Sequence, residues 1–151
     1  MLDTRDEVTV LGPEAGERLD VFGATMVVKS DGSRNGLYVA ENPIPPGYLV
    51  PPHIHDEADE AFYILQGELT LISAAGESKA GPGSCVLLPR GEMHGFRNDT
   101  AGMVRFLVIS LPGPQAAEMF RHLDRATRAA AGALPPPEIG AITAQYGVRL
   151  L

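Results

Sequence analysis

Cysteine is almost missing from this chain: Cys85 stands alone among 151 residues. A single thiol excludes an internal disulfide and a cysteine-ligated zinc knuckle. Cations are scarce as well, with 12 Lys and Arg against 19 Asp and Glu and a net charge of −7. Without a basic tract, neither nucleic acid nor an anionic membrane surface is an expected partner. No apolar run approaches the roughly 20 residues that cross a bilayer. The opening MLDTRDEVTV has neither the basic start nor the apolar core of a signal peptide. Together these absences lead to the expectation of a soluble, cytoplasmic protein. There is no internal repeat and no long low-complexity segment.

Turn residues, by contrast, are plentiful: 17 Gly and 13 Pro fall between short apolar segments. Runs rich in β-branched and aromatic residues recur at Val8–Leu11, Val21–Val28, Leu37–Ala40, Leu49–His55, Glu60–Gln66, Leu69–Ala74, Ser84–Leu88, Gly95–Asn98 and Val104–Leu111. Stretches such as SDGSRNG, NPIPPG and AGPG punctuate them. Strand after strand with no helix between predicts antiparallel pairing in a sandwich or barrel, an all-β fold. At this length a chain buries roughly 70% of its unfolded surface, so it needs no metal merely to fold. After Pro114 the pattern changes. Phe120, Leu123, Thr127 and Ala130 follow helical spacing, with Gly132 as a stop, and PPP at 135–137 leads to a second short helix, EIGAITAQY, ended by Gly147. The chain therefore divides at residue 113 into a β-barrel, 1–113, and a helical extension, 114–151, laid over the same domain.

The chemistry concentrates in PPHIHDEADEAFYILQG, residues 51–67. On a strand, residues two apart share a face and are about 6.6 Å apart. His53 and His55 thus present two imidazoles side by side, close enough for one ion. Imidazole with carboxylate suits Zn, Fe, Ni, Cu or Mn rather than Ca. An HxH pair alone reads as a solvated edge, and His94 alone as a satisfied loop histidine. Three regularly placed histidines with a carboxylate nearby in one small β-domain favour a metal site instead. Asp56, Glu57 and Asp59 fall in the turn after His55, where solvation is free.

Two longer spacings carry a resemblance. The first is Gly47, five residues, His53, Ile54, His55, four residues, Glu60, six residues, Gly67. The second is Gly83, five residues, Pro89, Arg90, Gly91, two residues, His94, three residues, Asn98. Both resemble the paired motifs of the cupin superfamily, with every defining position filled. The resemblance covers residues 47–98 and implies a cupin double-stranded β-helix, a jelly-roll-type barrel with the C-terminal helices packed outside. It implies one divalent transition metal per chain (Fe, Mn, Ni, Cu, Co or Zn) held by His53, His55, Glu60 and His94. A bulged turn would make Glu57 a rival to Glu60, but only Glu60 has the motif's spacing.

Cupins include oxygenases, isomerases, lyases, cyclases, decarboxylases and binding proteins, so the fold leaves function open. The ligand set and, more loosely, the C-terminal segment resemble the quercetin 2,3-dioxygenases. That likeness implies O₂-dependent chemistry on an aromatic or phenolic small molecule, with Glu60 also accepting the substrate's proton. The alternatives are a non-redox lyase, isomerase or polyketide cyclase, and a binding cupin without turnover. Phe62 and Ile64 share alternation parity with Glu60, and Phe96 with His94, making them candidate pocket residues. Cys85 reads as a small core residue and His122 as a surface residue. A homodimer formed through edge strands and terminal segments is expected from cupin habit.

Overall fold

A computed structural model describes residues 7–151. The order of elements is β1 (Glu17–Val21), β2 (Ala24–Asp31), β3 (Tyr38–Ile44), β4 (Leu49–His55), β5 (Asp59–Gln66), β6 (Leu69–Ser73), β7 (Gly76–Ala80), β8 (Cys85–Leu88), β9 (His94–Arg97), β10 (Val104–Leu111), α1 (Gly113–Ala129), α2 (Pro136–Ala144) and β11 (Val148–Leu150). The strands form a six-stranded sheet, β1-β2-β3-β10-β5-β8, and a five-stranded sheet, β11-β4-β9-β6-β7. All pairings are antiparallel. The fold is the all-β double sheet expected, with two short C-terminal helices. No helix among the described residues is long and apolar enough to cross a membrane.

Period-two alternation explains how the sheets face one another. In β3, Tyr38, Ala40, Asn42 and Ile44 are buried, and in β10 Val104, Phe106, Val108 and Ser110 are buried. These side chains meet Phe62, Ile64, Leu69, Leu71 and Phe96 in one apolar core between the sheets. Phe62, Phe96 and Phe106 form an aromatic trio with centroids 4.8 to 5.4 Å apart. A second, smaller core of Met119, Leu123, Leu134, Ile142 and Val148 seats α1 and α2 beside β11.

Several expected elements change. Val8–Leu11 is not a strand: Val8 and Val10 are 96% and 88% exposed, with no paired neighbour to reward their β-propensity. Val21–Val28 is two strands rather than one. The chain reverses at Phe22-Gly23, with φ of 55° and 88°, and Val21 pairs Ala24 across the turn. Positive φ at both central residues is the type I′ pattern, whose usual marker is Asn-Gly; Phe in the first place concealed it. Strand β7, GESKA, has only Ala80 buried. It shows no apolar alternation because it is a polar edge strand, kept from pairing further by its charges. Cys85, expected in the core, is exposed, because β8 turns Cys85 and Leu87 outward and Val86 and Leu88 inward. An apolar run carries no signal for which face it presents.

The C-terminal helices pack against the strands. Arg121 of α1 reaches Glu17 at 2.8 Å and Asp31 at 3.1 Å. Asp124 accepts the Asp20 backbone N–H at 2.7 Å. His122 is half-buried rather than a free surface group, with its Nδ1 3.0 Å from the Tyr146 hydroxyl.

Candidate metal centre

The five-stranded sheet brings the sequence-distant histidines together. Strand β4 lies between β11 and β9, and His53 stands opposite His94 in the β4–β9 register. That register is irregular between Val50 and His53, where β9 presses closely on β4. A Cβ on Gly95 would lie 2.8 Å from the Val50 carbonyl oxygen, so only glycine fits beside His94. The turn bearing His94 is tied down as well. The Gly91 N–H donates to the His55 carbonyl at 2.8 Å, and Arg90 grips Asp59 through its backbone N–H and its guanidinium.

His53, His55 and His94 are all buried, and their nitrogens lie within 4.8 Å of one another. Ring centroids are 4.4 Å apart for His53–His94, 5.0 Å for His53–His55 and 5.3 Å for His55–His94. Glu60 enters from β5 of the opposite sheet, buried, with Oε2 2.9 Å from His55 Nε2. Two donors each about 2.1 Å from one ion and roughly at right angles would sit at about that separation.

Three observations test whether these residues suit an ion. First, both ring nitrogens of His94 are buried with no hydrogen-bond partner, an arrangement that is costly unless something else meets them. Second, His53 Nδ1 lies 2.9 Å from the Pro51 carbonyl, which fixes that nitrogen as the donor and leaves Nε2 as a free lone pair. Third, burial and the mutual charges shift the ionisation of all four groups. Burial pushes His94 down to about 4, more than the nearby Glu60 carboxylate can offset. Burial likewise lowers His53. Burial also opposes charge on His55, but the Glu60 carboxylate overcomes it and raises that imidazole. Burial would raise Glu60 too, yet His55 beside it, with smaller pulls from His94 and His53, holds the carboxyl well below its ordinary value. Three buried imidazoles and the one buried carboxylate beside His55 make a donor set suited to a divalent transition metal.

The other acids of the turn point elsewhere. Asp56 pairs with Arg149 of β11 at 2.7 Å. Glu57 accepts a hydrogen bond from Gln115 of α1 at 3.0 Å and lies against Gly147. The turn is therefore a point of attachment for the C-terminal segment as well as a solvated loop.

A cavity of about 70 Å³ opens on His53, His55 and Glu60. Phe22, Tyr48, Phe62, Phe96 and Phe120 supply its aromatic wall, and Asn42 is its remaining polar side chain. Of the candidate pocket residues, Phe62 and Phe96 line it, while Ile64 is wholly buried in the barrel core and does not. Phe22, Asn42, Tyr48 and Phe120 went unrecognised in the sequence. Asn42 had one available signal, as the single polar residue at an inward position of β3; Phe120 was seen only as helix packing.

Comparison with known proteins places this geometry. Residues 43–110 match the family model described as Cupin domain. A sugar phosphate isomerase from a cupin superfamily, from Silicibacter pomeroyi, superimposes with a TM-score of 0.61 at 26% identity, over 68% of this chain and 75% of that one. The polyketide cyclase RemF from Streptomyces resistomycificus gives a TM-score of 0.61 at 24% identity, over 70% of this chain and 80% of that one. Among curated proteins, the endoribonuclease YbeY of Myxococcus xanthus is 29% identical over 106 residues, 69% of this chain. The chain spans about a third of that relative's length, 34%. The double sheet is the fold of these cupin structures, and the histidine cluster lies between its two sheets, within the residues that match the family model.

Proposed function

We propose that this protein is a metal-dependent cupin enzyme, an oxygenase acting on a small aromatic or phenolic molecule. The observation that supports the reading is a cluster of three buried imidazoles and a buried glutamate, of which His53, His55 and Glu60 open on an aromatic-walled cavity. Among the described residues, no Lys or Arg lines that cavity. A sugar phosphate would have the ion alone to offset its charge there, which argues against the isomerase reaction named for one structural relative and leaves the cyclase named for another as the alternative. An apolar ring and dioxygen both partition well into such a space.

His53, His55, Glu60 and His94 would hold the ion, with His53 fixed by Pro51 and Glu60 kept ionised by His55. When bound, a redox-active divalent ion supplies the electronic path between dioxygen and an electron-rich ring. The chain's own residues bind, orient and exclude water. The Phe62–Phe96 pair offers a ring its edge-to-face contact, with an interplanar angle of 86°. Glu60 accepts the phenolic proton at Oε2, the oxygen it now turns to His55. The cavity, about 70 Å³, is smaller than the roughly 150 Å³ that holds benzene in an apolar core, so its wall must yield for a single-ring phenol and far more for a multi-ring flavonol.

The reading is tested by identifying the bound metal and following O₂ uptake with single-ring phenols and flavonols, under air and under argon. Uptake in proportion to product is expected, with Glu60→Gln slowing it by about 10² or more. Turnover that persists under argon would assign the site to non-redox lyase, isomerase or cyclase chemistry. Tight binding with no product would make it a binding module.

A further inference from the structure

Two buried asparagines in this fold are handled in opposite ways. Asn98, 1% exposed, is fully satisfied. Its Nδ2 donates to the Ile44 carbonyl at 3.1 Å and the Gly102 carbonyl at 2.8 Å, and its Oδ1 accepts from the Thr100 N–H and hydroxyl. It is a structural clasp. Asn42 is 4% exposed, and its buried Oδ1 has no hydrogen-bond partner at all. It lies on the inward face of β3 between Ala40 and Ile44 and opposite Phe106 of β10, all three of them wholly buried. Every surrounding element would accept an apolar residue at this place.

Burying an amide oxygen without a partner is unfavourable, and leucine of nearly the same size would avoid the cost. A group that enters the cavity, an ordered water or a substrate oxygen, can supply the missing partner. Asn42 shares that cavity with His53, His55 and Glu60, and at about 70 Å³ it is small enough for one molecule to touch all four. A half-turn of the amide presents either an acceptor or a pair of donors, so it can meet a hydroxyl or a carbonyl.

We infer that Asn42 is a specificity-determining residue that binds a second oxygen substituent of the substrate, the first being directed to the metal centre. The inference rests on the phenolic reading above and narrows it to aromatic molecules bearing two oxygens on one small apolar frame. Asn42 positions the ring by one hydrogen bond while Phe62 and Phe96 pack against it. A substrate lacking the second oxygen would leave the amide unpaired and bind less tightly.

The experiment uses the full chain loaded with zinc, which is redox-inert and permits binding to be read without turnover. Phenol, resorcinol and hydroquinone are titrated calorimetrically into the native protein and into Asn42→Leu; the second hydroxyl of either diol is too far from the first to chelate one ion. In the native protein one of the diols is expected to bind about tenfold or more tighter than phenol. In Asn42→Leu that ratio is expected to fall to about one, with zinc content unchanged and the thermal midpoint of the metal-free protein equal or higher. Asn42→Ala serves the same titration should the leucine variant not fold. A diol preference that survives in the variants, or none in the native protein, overturns the inference while leaving the phenolic reading in place. Loss of zinc would make Asn42 a ligand, and a marked fall in the thermal midpoint of both variants would make it structural; either result overturns it. No binding by any of the three overturns the phenolic reading, and this inference with it.

Discussion

His55 and Glu57 are two residues apart in sequence and opposite in consequence. His55 points into the space between the sheets beside Glu60, whereas Glu57 accepts from Gln115 on the outside. Replacing His55 by Ala removes one of three mutually close nitrogens, and metal retention after dialysis is expected to fall at least about 100-fold. Glu57→Ala is expected to retain full metal content and lose only an exposed hydrogen bond with Gln115. Elemental analysis of the two purified variants checks both outcomes; full occupancy in His55→Ala would remove the histidine cluster as the metal centre. The difference between these neighbours was legible from the motif spacing. Where Glu57 goes was not, because its partner lies 58 positions along the chain.

At the scale of elements, the β1–β2 turn and α1 close one end of the cavity. The turn delivers Phe22 and the helix delivers Phe120. Phe120 also stacks on Tyr38, with ring centroids 5.4 Å apart. Phe120→Ala should open that end, so that larger ring systems gain binding relative to single-ring phenols, at a stability cost of about 3 kcal/mol. Comparing the two ligand sizes against native protein, and the two denaturation midpoints, measures each part. The clamp between α1 and β2 predicts a pH dependence. Asp31 is lowered from 3.8 to about 2, chiefly by hydrogen bonds from Ser33 and further by Arg121. Because the folded value lies below the unfolded one, its contribution to stability is fully present above pH 3.8. It is lost as pH falls from there through about 2. Arg121→Gln should move the Asp31 titration upward only part of the way, since Ser33 stays in place; carboxyl-resonance titration reads this directly. An unmoved titration would mean that the ion pair seen here carries no weight in solution.

For the whole molecule, the proposed centre would join two sheets: the histidines stand on β4 and β9 of one, and Glu60 on β5 of the other. An ion bound only by the folded arrangement stabilises the entire fold through mass action. At a hundredfold excess over its dissociation constant it adds about 2.7 kcal/mol, which for a chain of this size raises the thermal midpoint by roughly 5–10 °C. Thermal scans with and without chelator check this, and identical midpoints would show that the folded arrangement holds no ion.

The primary structure by itself determined the antiparallel β character and singled out the four candidate ligands. Each of these depends on local alternation, glycine placement or fixed spacing within a short segment. The tertiary structure alone decided the rest. Whether Val21–Val28 ran straight or doubled back rested on positive φ at Phe22, which local propensity disfavours and the packing of Phe22 under α1 supports. Whether Cys85 faced in or out rested on the parity of β8 against β5, a one-residue choice that flips every side chain. That Asn42 is unsatisfied while Asn98 is clasped rested on what stands opposite each once the sheets close. Spacing along the chain names the groups that can meet an ion. Only the packing of two sheets decides which other polar group is left facing it without a partner.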